Sequence, residues 1–148
     1  MDTATAMHVP GSAPLPDRVA LADQSALLLR DVRRRAEPVL ALTAARSWPE
    51  QELTTLTSFL RRTVLCQLPE EERRYPDGAD GPVATLTAEH VLLQALTDDL
   101  ERADRATCSL PDLADEVARL LRLLEQHLIA EQTLLDPLLD ALLDPARH

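Results

Sequence analysis

The sequence predicts an all-α protein, and within that class an antiparallel up-and-down four-helix bundle. Apolar residues make up 45% of the 148 residues but aromatic residues only 2%, so leucine and alanine must build the core. Only three glycines occur, and the abundance of leucine, alanine, arginine and glutamate favours helix. No stretch alternates apolar and polar residues as a strand would. The length suits one domain with one core.

Four stretches with helical periodicity follow one another along the chain. They are separated by "SWPEQE", by the loop "RRYPDGADGP" and by "TCSLPD", which contain the usual turn residues. The predicted helices cover about 17–46, 47–72, 83–106 and 111–143. Residues 1–16, which include three prolines, are predicted to form a flexible arm, and 144–148 a C-terminal tail. Short connections make the up-and-down bundle of residues 17–143 the simplest arrangement.

The charge and composition exclude several classes of function. Fifteen basic residues against 25 acidic ones give a net charge of −10, which repels nucleic acid. No apolar run approaches the roughly 20 residues that span a bilayer, so we expect no membrane partner. Two distant cysteines give no disulfide framework, and the N-terminus lacks a secretory signal, which favours the cytoplasm. No nucleophile constellation or cofactor loop is visible, so we expect binding rather than catalysis.

Polar residues occupy positions where the helical pattern expects leucine. In "LLEQHLIAEQTLL", the inward positions advance in steps of four and three, and they include His127 and Glu131. The same count on the other three helices gives further polar residues inside. The predicted inward polar set is Gln24, Gln67, Glu71, His90, His127 and Glu131.

These six side chains are predicted to lie in one layer of the core. At 1.5 Å per residue they fall within roughly 10 Å of one another along the bundle axis. Buried polar groups cost several kcal/mol, about 2–7 for an uncharged one, unless they are paired. Two carboxylates beside two imidazoles are what a metal site in a helix bundle supplies. A hydrogen-bonded layer without metal, in which the glutamines act as donors and acceptors, is the alternative.

Three segments resemble the haemerythrin-like (HHE cation-binding) family of four-helix bundles: "CQLPEEERRYP", "TAEHVLLQAL" and "EQHLIAEQTLL". The resemblance covers about Leu15 to Leu143. The family has a His on the first helix, a His-x-x-x-Glu on the second, a His on the third and a His-x-x-x-Glu on the fourth. Four of these six positions match here, as Glu71, His90, His127 and Glu131. The other two histidines are replaced, by Gln24 and Gln67.

The resemblance implies a non-haem iron site held by the four matching residues, with Gln24 and Gln67 as weaker ligands. In the family, both replaced histidines serve the same one of two irons. The chain is therefore expected to bind one or two ions, with a mononuclear site as the hypothesis. The implied function is to sense, bind or store a metal or a small ligand such as oxygen, nitric oxide or peroxide. A metal-free bundle with a structural or protein-interaction role is the alternative.

Overall fold

The computed structural model describes residues 18–75 and 81–143, and the side chains of 23–75 and 81–134. Within these ranges all regular structure is helical and no strand occurs, which confirms the prediction of an all-α protein. The predicted N-terminal arm and C-terminal tail lie outside the described residues. No helix in the described ranges has an uncharged apolar stretch long enough to cross a bilayer.

Four helical segments make up the described chain, and the second of them is irregular. The elements in order are α1 (Arg18–Ala44), α2 (Glu50–Phe59), a π-helical turn (Leu60–Val64), a 3₁₀ turn (Leu65–Gln67), α3 (Leu68–Arg73), α4 (Pro82–Arg102) and α5 (Leu110–Leu143). Helix α5 packs against α1 and α4, and α2 packs against the same two helices. This arrangement is compatible with a helical bundle.

Helix α4 ends earlier than the predicted Ala106. Its last residue is Arg102, because Ala103 has an extended backbone with ψ 134°. The carboxylate of Asp104 then accepts hydrogen bonds from the backbone N–H groups of Ala106 and Thr107, at 2.8 and 3.0 Å. A side chain that satisfies nearby backbone donors in this way favours a turn over continued helix.

Leucine and valine fill the core as the helical pattern predicts. The inward positions of α4, and those of α5 as far as His127, are buried, and the larger apolar cluster joins both helices to α1 and the second segment. A second, smaller cluster contains Tyr75, Val83 and Leu86, with Ala130 and Leu134 packed against it. On both α4 and α5, a buried histidine lies between residues of the two clusters.

The π-helical turn corrects one prediction about the second segment. A π turn holds more residues than an α turn and the 3₁₀ turn after it holds fewer, so together they shift which residues face the core. Beyond the π turn, Leu65 and Leu68 are buried whereas Gln67 is exposed. The prediction that Gln67 points into the core is therefore wrong. The shift keeps Glu71 partly buried.

Gln24 on α1 is also exposed, so its predicted inward position is wrong as well. The buried stripe of α1 includes Val39 and Val32, which are seven residues apart. Because seven residues make almost two α-helical turns, the same step leads from Val32 to Ser25. Ser25 is accordingly half-buried, and its neighbour Gln24 lies outside the stripe.

Candidate metal centre

Two histidines and two glutamates from three helices meet at one point. They are Glu71 on α3, His90 on α4, and His127 and Glu131 on α5; one ligand atom from each lies within 4.8 Å of all the others. We call these four residues the cluster. Both histidines are buried, with His127 only 1% exposed. The cluster brings together the four residues that the sequence predicted as main ligands, without Gln24 and Gln67. That they hold a metal stays a prediction.

The outer nitrogen of each histidine is bound to a carboxylate. Nδ1–H of His90 donates to Glu72 at 2.7 Å, and Nδ1–H of His127 donates to Glu89 at 2.9 Å. These bonds orient the rings and place the proton of the neutral form on Nδ1. A carboxylate behind the outer nitrogen is the usual support of a metal-ligating histidine.

The inner nitrogens of the two histidines face each other. Nε2 of His90 lies 3.1 Å from Nε2 of His127. With both Nδ1 protons donated outward, two Nε2 lone pairs point into the same space. They repel each other unless a proton or a metal ion lies between them. The arrangement therefore creates a site for a cation.

The distances within the cluster suit a single ion. Two ligands that are each about 2.0–2.2 Å from one ion are separated by about 3 Å when adjacent and about 4.2 Å when opposite. The two Nε2 atoms match the adjacent distance. Glu71 Oε1 lies 3.7 and 3.8 Å from Nε2 of His90 and of His127, and Glu131 Oε2 lies 3.6 Å from Nε2 of His127. Small side-chain movements would bring all four atoms onto one ion.

The two cluster carboxyl groups have different protonation tendencies. Burial, followed by the hydrogen bond and the negative charge of Glu71, raises the pKa of Glu131 to about 7. Burial also disfavours the ionised form of Glu71, but its interactions with His127 and His90 hold its pKa well below the usual range. The cluster thus contains one firmly ionised carboxylate and one that binds a proton near neutrality.

The histidines are held toward their protonated form. Burial lowers the pKa of each, but this is outweighed by Glu71 acting on both, together with Glu72 for His90 and Glu89 for His127, so both pKa values are raised. The cause is the surrounding negative charge, since four carboxyl groups surround two imidazoles. A metal cation would meet the same charge.

Tyr75 closes one side of the cluster. It lies two residues beyond the end of α3, and its hydroxyl group donates a hydrogen bond to Glu131 Oε2 at 2.7 Å. The Tyr75 hydroxyl oxygen also lies 3.2 Å from Nε2 of His90. Burial and the hydrogen bond to Glu131 raise the pKa of Tyr75, which keeps the phenol protonated when no cation is near.

The two carboxylates of the cluster border a cavity. This cavity of about 490 Å³ is bordered by Glu71 and Glu131 together with Gln24, Gln67 and Arg74. The two glutamines, exposed as they are, therefore lie beside the cluster. The cavity connects the buried carboxylates to solvent.

Periodicity could not identify three of the residues around the cluster. Glu72 and Glu89 each neighbour an inward residue in sequence, so the helical count places them off the inward stripe. Glu89 supports a histidine on another helix, which no local pattern reveals. Tyr75 stands in the matched segment "CQLPEEERRYP", but the sequence assigned it no role.

Comparisons with models of protein families, with curated proteins and with solved structures gave no match. The haemerythrin-like resemblance accordingly continues as a proposal, supported by the residues themselves.

Proposed function

We propose that this chain is a haemerythrin-like, antiparallel four-helix bundle that binds one metal ion through His90, His127, Glu71 and Glu131. Iron is the first candidate for that ion. The observation that carries the proposal is the pair of facing Nε2 atoms, 3.1 Å apart, with each Nδ1 bound to a carboxylate. Two imidazoles with carboxylates and an open side are typical of non-haem iron sites.

The residues around the proposed ion have different roles. The imidazoles of His90 and His127 donate nitrogen lone pairs, and the carboxylates of Glu71 and Glu131 compensate the positive charge. Glu72 and Glu89 hold the rings in place from behind. The ion, when bound, would supply a Lewis-acidic centre at which a small ligand can coordinate.

The open cavity supports a role in sensing, binding or storage. A ligand or ion needs a route to a buried site, and the cavity beside Glu71 and Glu131 offers one. A diatomic molecule or peroxide is small enough to pass. We therefore propose oxygen, nitric oxide or peroxide as ligands and a cytoplasmic setting, with storage of the metal itself as the simplest form of the function.

A metal-free structural role is the second candidate, and one observation favours it. Among the described residues, every buried side-chain nitrogen or oxygen has a hydrogen-bond partner. The cluster can therefore satisfy itself with a proton shared between the two Nε2 atoms. In that form it would be a polar layer that fixes how the helices pack.

The metal content of the untagged chain separates the two candidates. The chain and its His127→Ala variant would be produced in iron-supplemented medium and analysed for iron, zinc and manganese per chain. We expect about one ion per chain in the parent and a loss in the variant, because one of two nitrogen ligands is gone. If the parent holds no more metal than the variant does, the metal-binding proposal fails and the polar layer is favoured.

A further inference from the structure

The chain's single tyrosine lies inside the cluster rather than beside it. The Tyr75 side chain is buried, and it packs with Val83 and Leu86. Its hydroxyl oxygen is 2.7 Å from Glu131 Oε2 and 3.2 Å from Nε2 of His90. Both of those atoms are candidate ligands of the same ion.

These two distances are the distances between neighbouring ligands of one ion. Adjacent ligands at about 2.0–2.2 Å from an ion lie about 3 Å apart. An ion held by Nε2 of His90 and Oε2 of Glu131 would therefore lie within coordination reach of the Tyr75 oxygen. No movement of the backbone is required, since the oxygen already contacts both atoms.

We infer that the Tyr75 hydroxyl oxygen is a fifth ligand of the ion, and that the centre therefore favours ferric iron over divalent ions. The inference rests on the proposed metal-binding function. On coordination the phenolic O–H bond breaks and an oxygen–iron bond forms, while the proton leaves to solvent water. The iron stays ferric throughout, so no oxidant or reductant is needed.

The charges of the ligands agree with a ferric ion. Glu71, Glu131 and a Tyr75 phenolate together carry three negative charges, and the two histidines ligate as neutral rings with Nδ1–H donated to carboxylates. A ferric ion brings a positive charge equal to the negative charge of these five ligands, whereas a divalent ion would leave ion and ligands together with a net negative charge. Phenolate is also a hard oxygen donor, which suits ferric iron, and tyrosine serves as an iron ligand in other proteins.

The test is the visible spectrum of the full chain loaded with ferric citrate, with iron per chain measured on the same sample. Ferric iron bound to phenolate shows a charge-transfer band in the visible range, and resonance Raman excitation in that band enhances the ring vibrations of the tyrosinate. Because Tyr75 is the only tyrosine, such a signal from the parent chain identifies the ligand without any variant. We expect the band to grow in proportion to bound iron.

Tyr75→Phe is the matched variant, because it removes one hydroxyl group and leaves the ring to fill the apolar cluster. We expect it to lose the visible band and the tyrosinate vibrations completely. A parent chain that binds iron without these signals overturns the inference and leaves the four-residue site intact. A band that persists in Tyr75→Phe overturns it as well. A parent chain that binds no iron refutes the proposed function, and the inference with it. Should the variant prove unstable, the Raman spectrum of the parent decides.

Discussion

Removal of the His127 imidazole should abolish the thermal stabilisation that a metal ion gives to this protein. His127 is 1% exposed and contributes one of the two facing Nε2 atoms. Because the cluster is assembled from α3, α4 and α5, an ion held there binds only the folded chain. Binding must then raise the free energy of unfolding.

The size of the effect follows from mass action. At a free metal concentration about 100 times the dissociation constant, one site adds about 2.7 kcal/mol to the free energy of unfolding. For a chain of 148 residues, 1 kcal/mol raises the melting temperature by about 2–4 °C. The parent should therefore melt roughly 5 to 10 °C higher with excess metal than with chelator.

The variant has a structural cost of its own. His127→Ala removes the partner of Glu89 and leaves Nε2 of His90 with the Tyr75 hydroxyl group alone, at about 1–3 kcal/mol for a buried group that loses its partner. The variant should thus melt below the parent even in chelator. Each protein is therefore compared with itself, with and without metal, so that this cost cancels.

Calorimetry in chelator and in excess ferric citrate measures both differences. Glu125→Gln is the control, since Glu125 lies on α5 and its partner among the described side chains is Arg33, at an exposed position; it should keep the full metal-dependent rise. The reasoning is refuted if the parent melts at the same temperature with chelator and with excess iron. It is refuted equally if His127→Ala shows the same rise as the parent.

Three further predictions follow from the geometry of the cluster. The pKa values of both cluster histidines are raised, and that of Glu131 is raised to about 7. These groups therefore stabilise the metal-free fold at low pH, and that stabilisation is lost as the pH rises through the raised pKa values. Metal must displace the same protons, so the metal-dependent rise in melting temperature should be larger at about pH 8 than at about pH 6; an equal rise at both would contradict this. Glu89→Gln keeps an acceptor for Nδ1–H but removes its charge, and should weaken metal affinity about 10–100-fold in a chelator competition; unchanged affinity would show that Glu89 does not support His127. Gln24→His with Gln67→His adds two imidazoles to the cavity wall beside Glu71 and Glu131, and should raise iron content toward two ions per chain; a content no higher than the parent's would exclude a second site there.

The regular helices could be predicted from the sequence, and so could the members of the cluster that lie on them. On α4 and α5 a strict alternation of three and four places His90 and His127 in the core and Glu131 at a partly buried position, because nothing interrupts these helices there. The end of α4 could not be predicted to the residue, since the competing Asp104 turn depends on one side chain finding its backbone donors. That these residues bind a metal is still a prediction.

Helical periodicity predicted the wrong orientation for the two glutamines, Gln67 and Gln24. Gln67 ends a 3₁₀ turn that follows a π-helical turn, and these two irregular turns change which residue faces the core. No composition signal marks such a turn in "LRRTV". The prediction for Gln24 was wrong for a different reason. A register error of one residue at this end of the α1 stripe places Gln24 inward instead of Ser25. Both errors concern register and not the type of structure.

The irregular second segment also explains why Glu71 and Glu72 contact the histidines whereas Gln67, in the same segment, is exposed. After the π turn, Leu68 occupies the buried position and begins α3. One turn further on, Glu71 faces the two Nε2 atoms while its neighbour Glu72 reaches Nδ1 of His90. These two adjacent carboxylates, on opposite sides of one imidazole, add negative charge that a cation must balance. Under the proposed function a metal ion between the inner nitrogens would balance it, and in the metal-free form the histidines, whose pKa values are raised by the same carboxylates, hold a proton in its place.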